Sequence, residues 1–242
     1  MRTLCAIAFI AVLQYAVFAA KALQNSSTKH GVTVNATIFY DEKYYNRYAE
    51  LNRTRNITAD LKYLVDLAQK KFRDHNITVT FVVQSVQNRS DYLVKIGNKS
   101  INASETLNKM IEIAKKEQAP NNSIRYHFSG YRIMVNETRV SEYGVAGVAT
   151  NGTFCTEPSA AILLYLPESN NTNSFVSVTA KMFGAKMSPY FDQGDIRAMN
   201  KTLQKCETKS RRKRAPGKAK KGGKGGNKKK GQKNKEKARQ SK

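Results

Sequence analysis

Acidic residues are scarce in this chain: 18 Asp and Glu stand against 42 Lys and Arg, a net charge of +24 over 242 residues. An excess of that size points to anionic partners. There is no Trp, and there are only three Cys and three His. Three Cys are too few for a small disulfide-dense scaffold. His30, His75 and His127 are widely scattered and none belongs to an H-x3-H pair, so no local metal signature exists. Beyond the N-terminal segment no apolar run reaches the roughly 18 residues of a spanning helix, which excludes a polytopic membrane protein. No Gly-x-Ser-x-Gly nucleophile elbow occurs, and the Gly222–Gly226 run lacks the strand and helix that a phosphate loop needs. The hydrophobic share of 40% suffices for one core of ordinary size.

The N-terminus reads as an address. Met1-Arg2 is followed by an apolar stretch from Leu4 to Ala20 and by the small residues Ala19, Ala20 and Ala22. This is the pattern of a secretory signal peptide over residues 1–22, cut after Ala20 or Ala22; a signal anchor is the alternative. The N-glycosylation acceptor pattern occurs thirteen times, at Asn25, Asn35, Asn52, Asn56, Asn76, Asn88, Asn98, Asn102, Asn121, Asn136, Asn151, Asn170 and Asn200. That frequency predicts a secreted, extracellular glycoprotein. Export removes Cys5 and leaves Cys155 and Cys206, an even pair in an oxidising compartment, which predicts a disulfide. The alternative is one free buried thiol and one intermolecular bridge.

Residues 23–208 carry the pattern of a single α/β domain. Val32, Val34, Ala36 and Ile38 alternate with polar residues, as in a strand with one buried face. Ile57, Leu61, Leu64, Val65, Ala68 and Phe72 form the stripe of an amphipathic helix. Ile77, Val79, Phe81 and Val83 give a second strand, and Ser104 is the expected cap of a helix bearing Leu107, Met110, Ile111 and Ala114. Strands are expected at Ile124–Phe128, at Gly144–Ala149, where small residues allow close passage, and at Ala160–Leu166. Weaker helical patterns cover Ser174–Met187 and Asp195–Leu203. The order predicts a mixed, mostly parallel sheet packed with helices.

Element order and local sequence together resemble the catalytic domain of reprolysin-type metzincin metalloproteases, particularly the salivary ones of blood-feeding arthropods. The resemblance spans roughly Val32 to Cys206. It rests on the opening strand, the long helix before Asn76-Ile-Thr-Val-Thr-Phe-Val-Val, the stretch Ala103-Ser-Glu-Thr-Leu, and Gly144-Val-Ala-Gly-Val-Ala-Thr-Asn-Gly-Thr-Phe-Cys155. The last is similar to the family's edge strand and following Cys, and the family's pairing implies Cys206 as its partner. The family's zinc motif, HExxHxxGxxH, places two His on one helical face and a Glu as general base. In the simplest register Lys181, Ala185 and Phe191 occupy the ligand positions here, and Met182 that of the base. An ammonium, a methyl and a phenyl ring offer no lone pair, and a thioether shuttles no proton. A second register makes Met187-Ser188-Pro189 the turn beneath the metal and deletes the third His. Both registers imply a pseudoprotease with no cofactor, and the brief spacer before the first strand, where the family carries an inhibitory pro-segment, agrees with that expectation.

Residues 209–242 hold 17 Lys and Arg against one acid, Glu236, a net +16 of the chain's +24. The cations are Lys209, Arg211, Arg212, Lys213, Arg214, Lys218, Lys220, Lys221, Lys224, Lys228, Lys229, Lys230, Lys233, Lys235, Lys237, Arg239 and Lys242. With no aromatic and no large apolar residue, this segment predicts a disordered Lys/Gly-rich tail. Flexible point charges suit diffuse anionic surfaces such as glycosaminoglycan or phospholipid. Lack of stacking side chains argues against single-strand nucleic-acid binding. Arg211–Arg214 also has the pattern of a basic convertase site. The expectation is therefore a secreted, monomeric, non-catalytic protein whose tail engages anions and whose domain meets an extracellular protein, with interference in host haemostasis implied by the resemblance alone. The alternatives are an active zinc metalloendopeptidase of the reprolysin type and a tail that acts as an antimicrobial or nucleic-acid-binding peptide.

Overall fold

A computed structural model describes residues 31–51, 56–135 and 145–214, with side chains described up to Cys206. The segment expected as a signal peptide, Asn25, His30, Asn52, Asn136, Gly144 and residues 215–242 lie outside the described residues, as do the side chains of Lys209 and Arg211 to Arg214.

Alternation at the start of the domain produces β1 (Val32–Tyr40), with Val32, Val34, Ala36 and Ile38 buried on one face. Asp41 stops the strand and caps α1 (Glu42–Glu50), its carboxylate accepting from the Tyr44 N–H at 2.7 Å. The apolar stripe becomes α2 (Ile57–Asp74), which buries Leu61, Leu64, Val65, Ala68 and Phe72 and is capped by Asn56. The chain returns in β2 (Val79–Asn88), parallel to β1 with Val79 opposite Val32.

A small sheet interrupts the alternation. It consists of β3 (Lys95–Ile96), β4 (Ser100–Asn102) and, later in the chain, β6 (Arg132–Met134), in the order β3-β4-β6. Because β4 runs straight into α3 (Ala103–Lys116), the cap of that helix is Asn102 rather than the expected Ser104. The Asn102 Oδ1 accepts from the Glu105 N–H while its Nδ2 donates to the Glu105 carboxylate at 2.8 Å, a reciprocal pair in the manner of a capping box.

The main sheet is completed by β5 (Ser123–Phe128), β8 (Ser159–Leu163) and β7 (Gly147–Ala149), in the order β2-β1-β5-β8-β7. All pairs are parallel except β7 with β8, so the Gly-rich stretch expected as a strand forms an antiparallel edge. The close passage expected there is made by α4 (Asn173–Met182): a Cβ at Gly147 would lie 2.7 Å from the Val178 Cγ1. The chain then enters α5 (Gln193–Arg214), which continues eleven residues past the expected end at Leu203.

The sheet is covered on both faces, giving a mixed α/β domain with a mostly parallel sheet packed with helices, as the element order predicts. One core joins β1, β2, β5, α2, α4 and α5 through Ile38, Phe81, Phe128, Phe72, Phe175 and Leu203. The other lies under α3 and holds Phe39, Ile101, Leu107, Met110 and Ile162. Helix α3 covers the β8 side of its face and leaves Asn35, Thr37 and Gln84 lining a cleft of about 320 Å³, with Arg125 and Ser123. Arg125 is paired there with Glu117, which also meets Arg89 at 3.5 Å.

Candidate functional site

The carboxyl ends of parallel strands are where α/β folds gather functional groups. Here the ends of β1 and β5 bring Asp41, His127 and Ser129 together, with Tyr92 from the loop between β2 and β3. All four side chains are buried. The Asp41 carboxylate accepts from the Ser129 hydroxyl at 2.8 Å, the His127 Nε2 at 3.2 Å, the Gly130 N–H at 3.1 Å and the Tyr44 N–H. The His127 Nδ1 lies 2.8 Å from the Tyr92 hydroxyl. Burial pushes the Tyr92 phenol well above its ordinary range, so the hydroxyl stays protonated beside Nδ1. Burial pushes the Asp41 carboxyl up, but the hydrogen bond and charge of His127, the Tyr44 N–H and the Ser129 hydroxyl outweigh it and hold it below the usual carboxylate range.

Those residue types invite comparison with a Ser-His-Asp triad, but the connectivity differs. In a triad the imidazole takes the proton of the serine. Here the Ser129 hydroxyl is spent on Asp41, both imidazole nitrogens are engaged, and no member reaches solvent. The cluster is a clasp that ties the N-terminus of α1 to the end of β5.

The positions expected to mirror a zinc motif are dispersed. Lys181 and Met182 form the last turn of α4, and Ala185 lies beyond its end. Gly184, at φ +93°, turns the chain out of the helix, and its N–H returns to the Lys181 carbonyl at 2.9 Å. Lys181 and Ala185 therefore do not share a helical face. Ending the helix at Gly184 instead aligns Ser177 and Lys181 as the i, i+4 pair. Phe191 packs on Phe72 with ring centroids 5.5 Å apart and meets the edge of His75. Met182 is buried.

The two described histidines, His75 and His127, do not converge either. His75 follows α2 beside the strand starts, whereas His127 is paired with Phe39, seven residues along β1 from Val32. At about 3.3 Å per residue those positions are roughly 23 Å apart along the strand. Among the described residues no group of three His, Cys, Asp or Glu is arranged to hold a metal ion.

Cys155 and Cys206 are joined as a disulfide with Cα atoms 5.1 Å apart, inside the range such bonds require. Cys155 adopts φ +65° and is held by its N–H to the Asn121 carbonyl at 2.8 Å. The bond fastens α5, and with it the start of the basic segment, to the loop after the edge strand.

The expected glycan acceptors divide by burial. Asn56, Asn76, Asn88, Asn98, Asn121, Asn151 and Asn170 are exposed, and Asn35 and Asn102 are half-buried. Asn200 stands apart from them, 6% exposed on the packed face of α5. The Asn-x-Thr pattern cannot reveal which face of a helix its Asn occupies.

No described helix is long and apolar enough to cross a membrane. No family model matches the chain, and no curated protein matches it. Among solved structures it is similar to metalloproteinase-II from Bacteroides fragilis, at 9% identity and a TM-score of 0.47, over 73% of this chain and 55% of that one. A chaperone–substrate complex is matched at 9% identity and a TM-score of 0.42, over 65% of this chain and 24% of that one. The chain thus spans about half the length of the first and a quarter of the second.

Proposed function

We propose that this protein is a secreted, glycosylated, non-catalytic binding protein: a degenerate metzincin-type domain that carries a polycationic tail onto extracellular anions. The observation that carries this reading is the charge partition, +16 within residues 209–242. Each Lys near an anionic surface contributes about 1 kcal/mol, so several engaged together give micromolar binding. The pseudoprotease part is supported by donor chemistry, since neither Ser177 with Lys181 nor Lys181 with Ala185 supplies a pair of metal-ligating nitrogens.

The test is heparin chromatography of the full-length chain beside a variant with every Lys from Lys218 to Lys242 replaced by Gln. The variant is expected to elute at much lower salt, with affinity about a hundredfold weaker. Unchanged elution would dismiss the tail as the binding element. Stoichiometric zinc in the purified protein, with chelator-sensitive cleavage of casein, would overturn the non-catalytic reading.

Glycan placement gives a separate expectation. Peptide mapping of the secreted protein after enzymatic deglycosylation should find conversion at exposed acceptors such as Asn98 and Asn151 and none at Asn200. A glycan on Asn200 in the folded protein would contradict the packing of α5.

A further inference from the structure

The described domain carries a cation cluster of its own, apart from the basic tail. It is built where the N-terminus of α1 meets the small sheet. Tyr131, half-buried between β5 and β6, has the Lys43 ammonium 4.8 Å from its ring centroid and the Lys95 ammonium 5.3 Å from it. Arg47 reaches the Gly130 carbonyl at 3.5 Å, and the Arg132 N–H binds the Lys99 carbonyl at 3.0 Å, which brings Lys99 and Arg132 to the same place. Two ammonium groups thus sit on one tyrosine ring, and Arg47, Lys99 and Arg132 stand on the adjoining backbone. Residues 95–102 and 129–135 contain no acid, and the first turns of α1 contain only Glu42. None of the five has a carboxylate partner among the described residues.

From this arrangement we infer that the domain has its own binding site for a linear sulfated polysaccharide, centred on Tyr131 and formed by Lys43, Lys95, Lys99 and Arg132. The inference rests on the proposed anion-binding function and narrows its partner. The shape selects the ligand. Arg47, Lys95, Lys99 and Arg132 are exposed, whereas Lys43 and Tyr131 are half-buried, so the centre of the cluster is recessed below its rim. A plane of lipid headgroups meets the rim alone. A narrow chain of sulfated sugars reaches rim and centre together, and the aromatic ring holds the two ammonium groups in a fixed spacing. Unlike the tail, this cluster presents cations on a folded frame, so it distinguishes sulfate density as well as total charge.

Three full-length proteins test it: wild type, Lys43→Gln/Lys95→Gln/Arg132→Gln, and the tail variant with Lys218 to Lys242 neutralised. Binding is measured calorimetrically against a heparin dodecasaccharide, hyaluronan and phosphatidylserine vesicles at about 0.15 M salt. The domain variant is expected to bind the heparin fragment about tenfold more weakly, with little change on vesicles. The tail variant should keep a residual heparin affinity well above that for unsulfated hyaluronan. Unchanged heparin binding by the domain variant overturns the site, even where the tail variant confirms the tail. An equal loss on vesicles assigns the cluster to membranes instead, and equal affinity of the tail variant for hyaluronan overturns the preference for sulfate. Loss confined to the domain variant removes the tail reading and leaves the site standing. Should substitution of half-buried Lys43 impair folding, Lys95→Gln/Lys99→Gln/Arg132→Gln, all at exposed positions, gives the same readout.

Discussion

Replacing Asp41 with Ala is expected to cost about 3–5 kcal/mol of folding stability, a large part of the 5–15 kcal/mol typical of a domain. The carboxylate is the common acceptor for the Tyr44 and Gly130 N–H groups, the Ser129 hydroxyl and the His127 imidazole, all of them buried. Truncation leaves these donors without a partner or water, and that desolvation penalty, more than the loss of any one bond, sets the magnitude. Urea unfolding at pH 7 reads it as a lower midpoint. Asp41→Asn keeps the shape and one acceptor oxygen but turns an amide toward other donors, so an intermediate loss is expected. Stability also acquires a definite pH dependence. The Asp41 carboxyl is held below its ordinary value in the folded state, so its contribution is complete above the unfolded value near ~3.9. It is lost as the pH falls through the folded value. Asp41→Asn should flatten the acid limb of the stability curve; an acid limb equal to that of the wild type would show that the clasp is not its source.

The second large effect belongs to the disulfide. Replacing Cys155 and Cys206 with Ala opens a loop of 51 residues, which on the chain-entropy model removes about 4 kcal/mol. The change has a direction in space as well. α5 is held to the body by Met199, Leu203 and this bond, so its C-terminal end should lose protection before the sheet does. Hydrogen exchange of the reduced protein is expected to show faster exchange in the Thr202–Arg214 amides while those of β1 and β5 remain protected. A urea midpoint unchanged by reduction would remove the bond from the account of stability. In the proposed function this bond is also what fixes the base of the tail relative to the cation cluster at Tyr131.

Legibility followed the length and periodicity of each element. β1 and α2 were readable because nine and eighteen residues repeat a period of 2 or 3.6. β3, β4 and β6 are two or three residues long and show no period at all. α1 escaped because its buried face consists of Tyr44 and Tyr48, residues that do not stand out from their polar neighbours. Ser104 and Asn102 are both good caps, and the choice fell to Asn102 because β4 delivers the chain to the helix two residues earlier. The register placed at Lys181 passed over a signal that is local: Gly184 stands just past the cap Phe183 at positive φ, where glycine ends a helix.

Residue order along the chain was enough to establish the strand–helix alternation, the pairing of Cys155 with Cys206 as an expectation and the concentration of cations at the C-terminus. These are local or countable properties that need no knowledge of neighbours in space. Folding alone decided that Asp41, Tyr92, His127 and Ser129 share one buried cluster, that Asn200 is turned inward, and that Lys43 and Lys95 meet over Tyr131. Each of these depends on strand order and helix rotation, which are set by packing two cores against one sheet. Contacts between residues 35 to 90 positions apart come from that packing, and no short stretch of sequence encodes it.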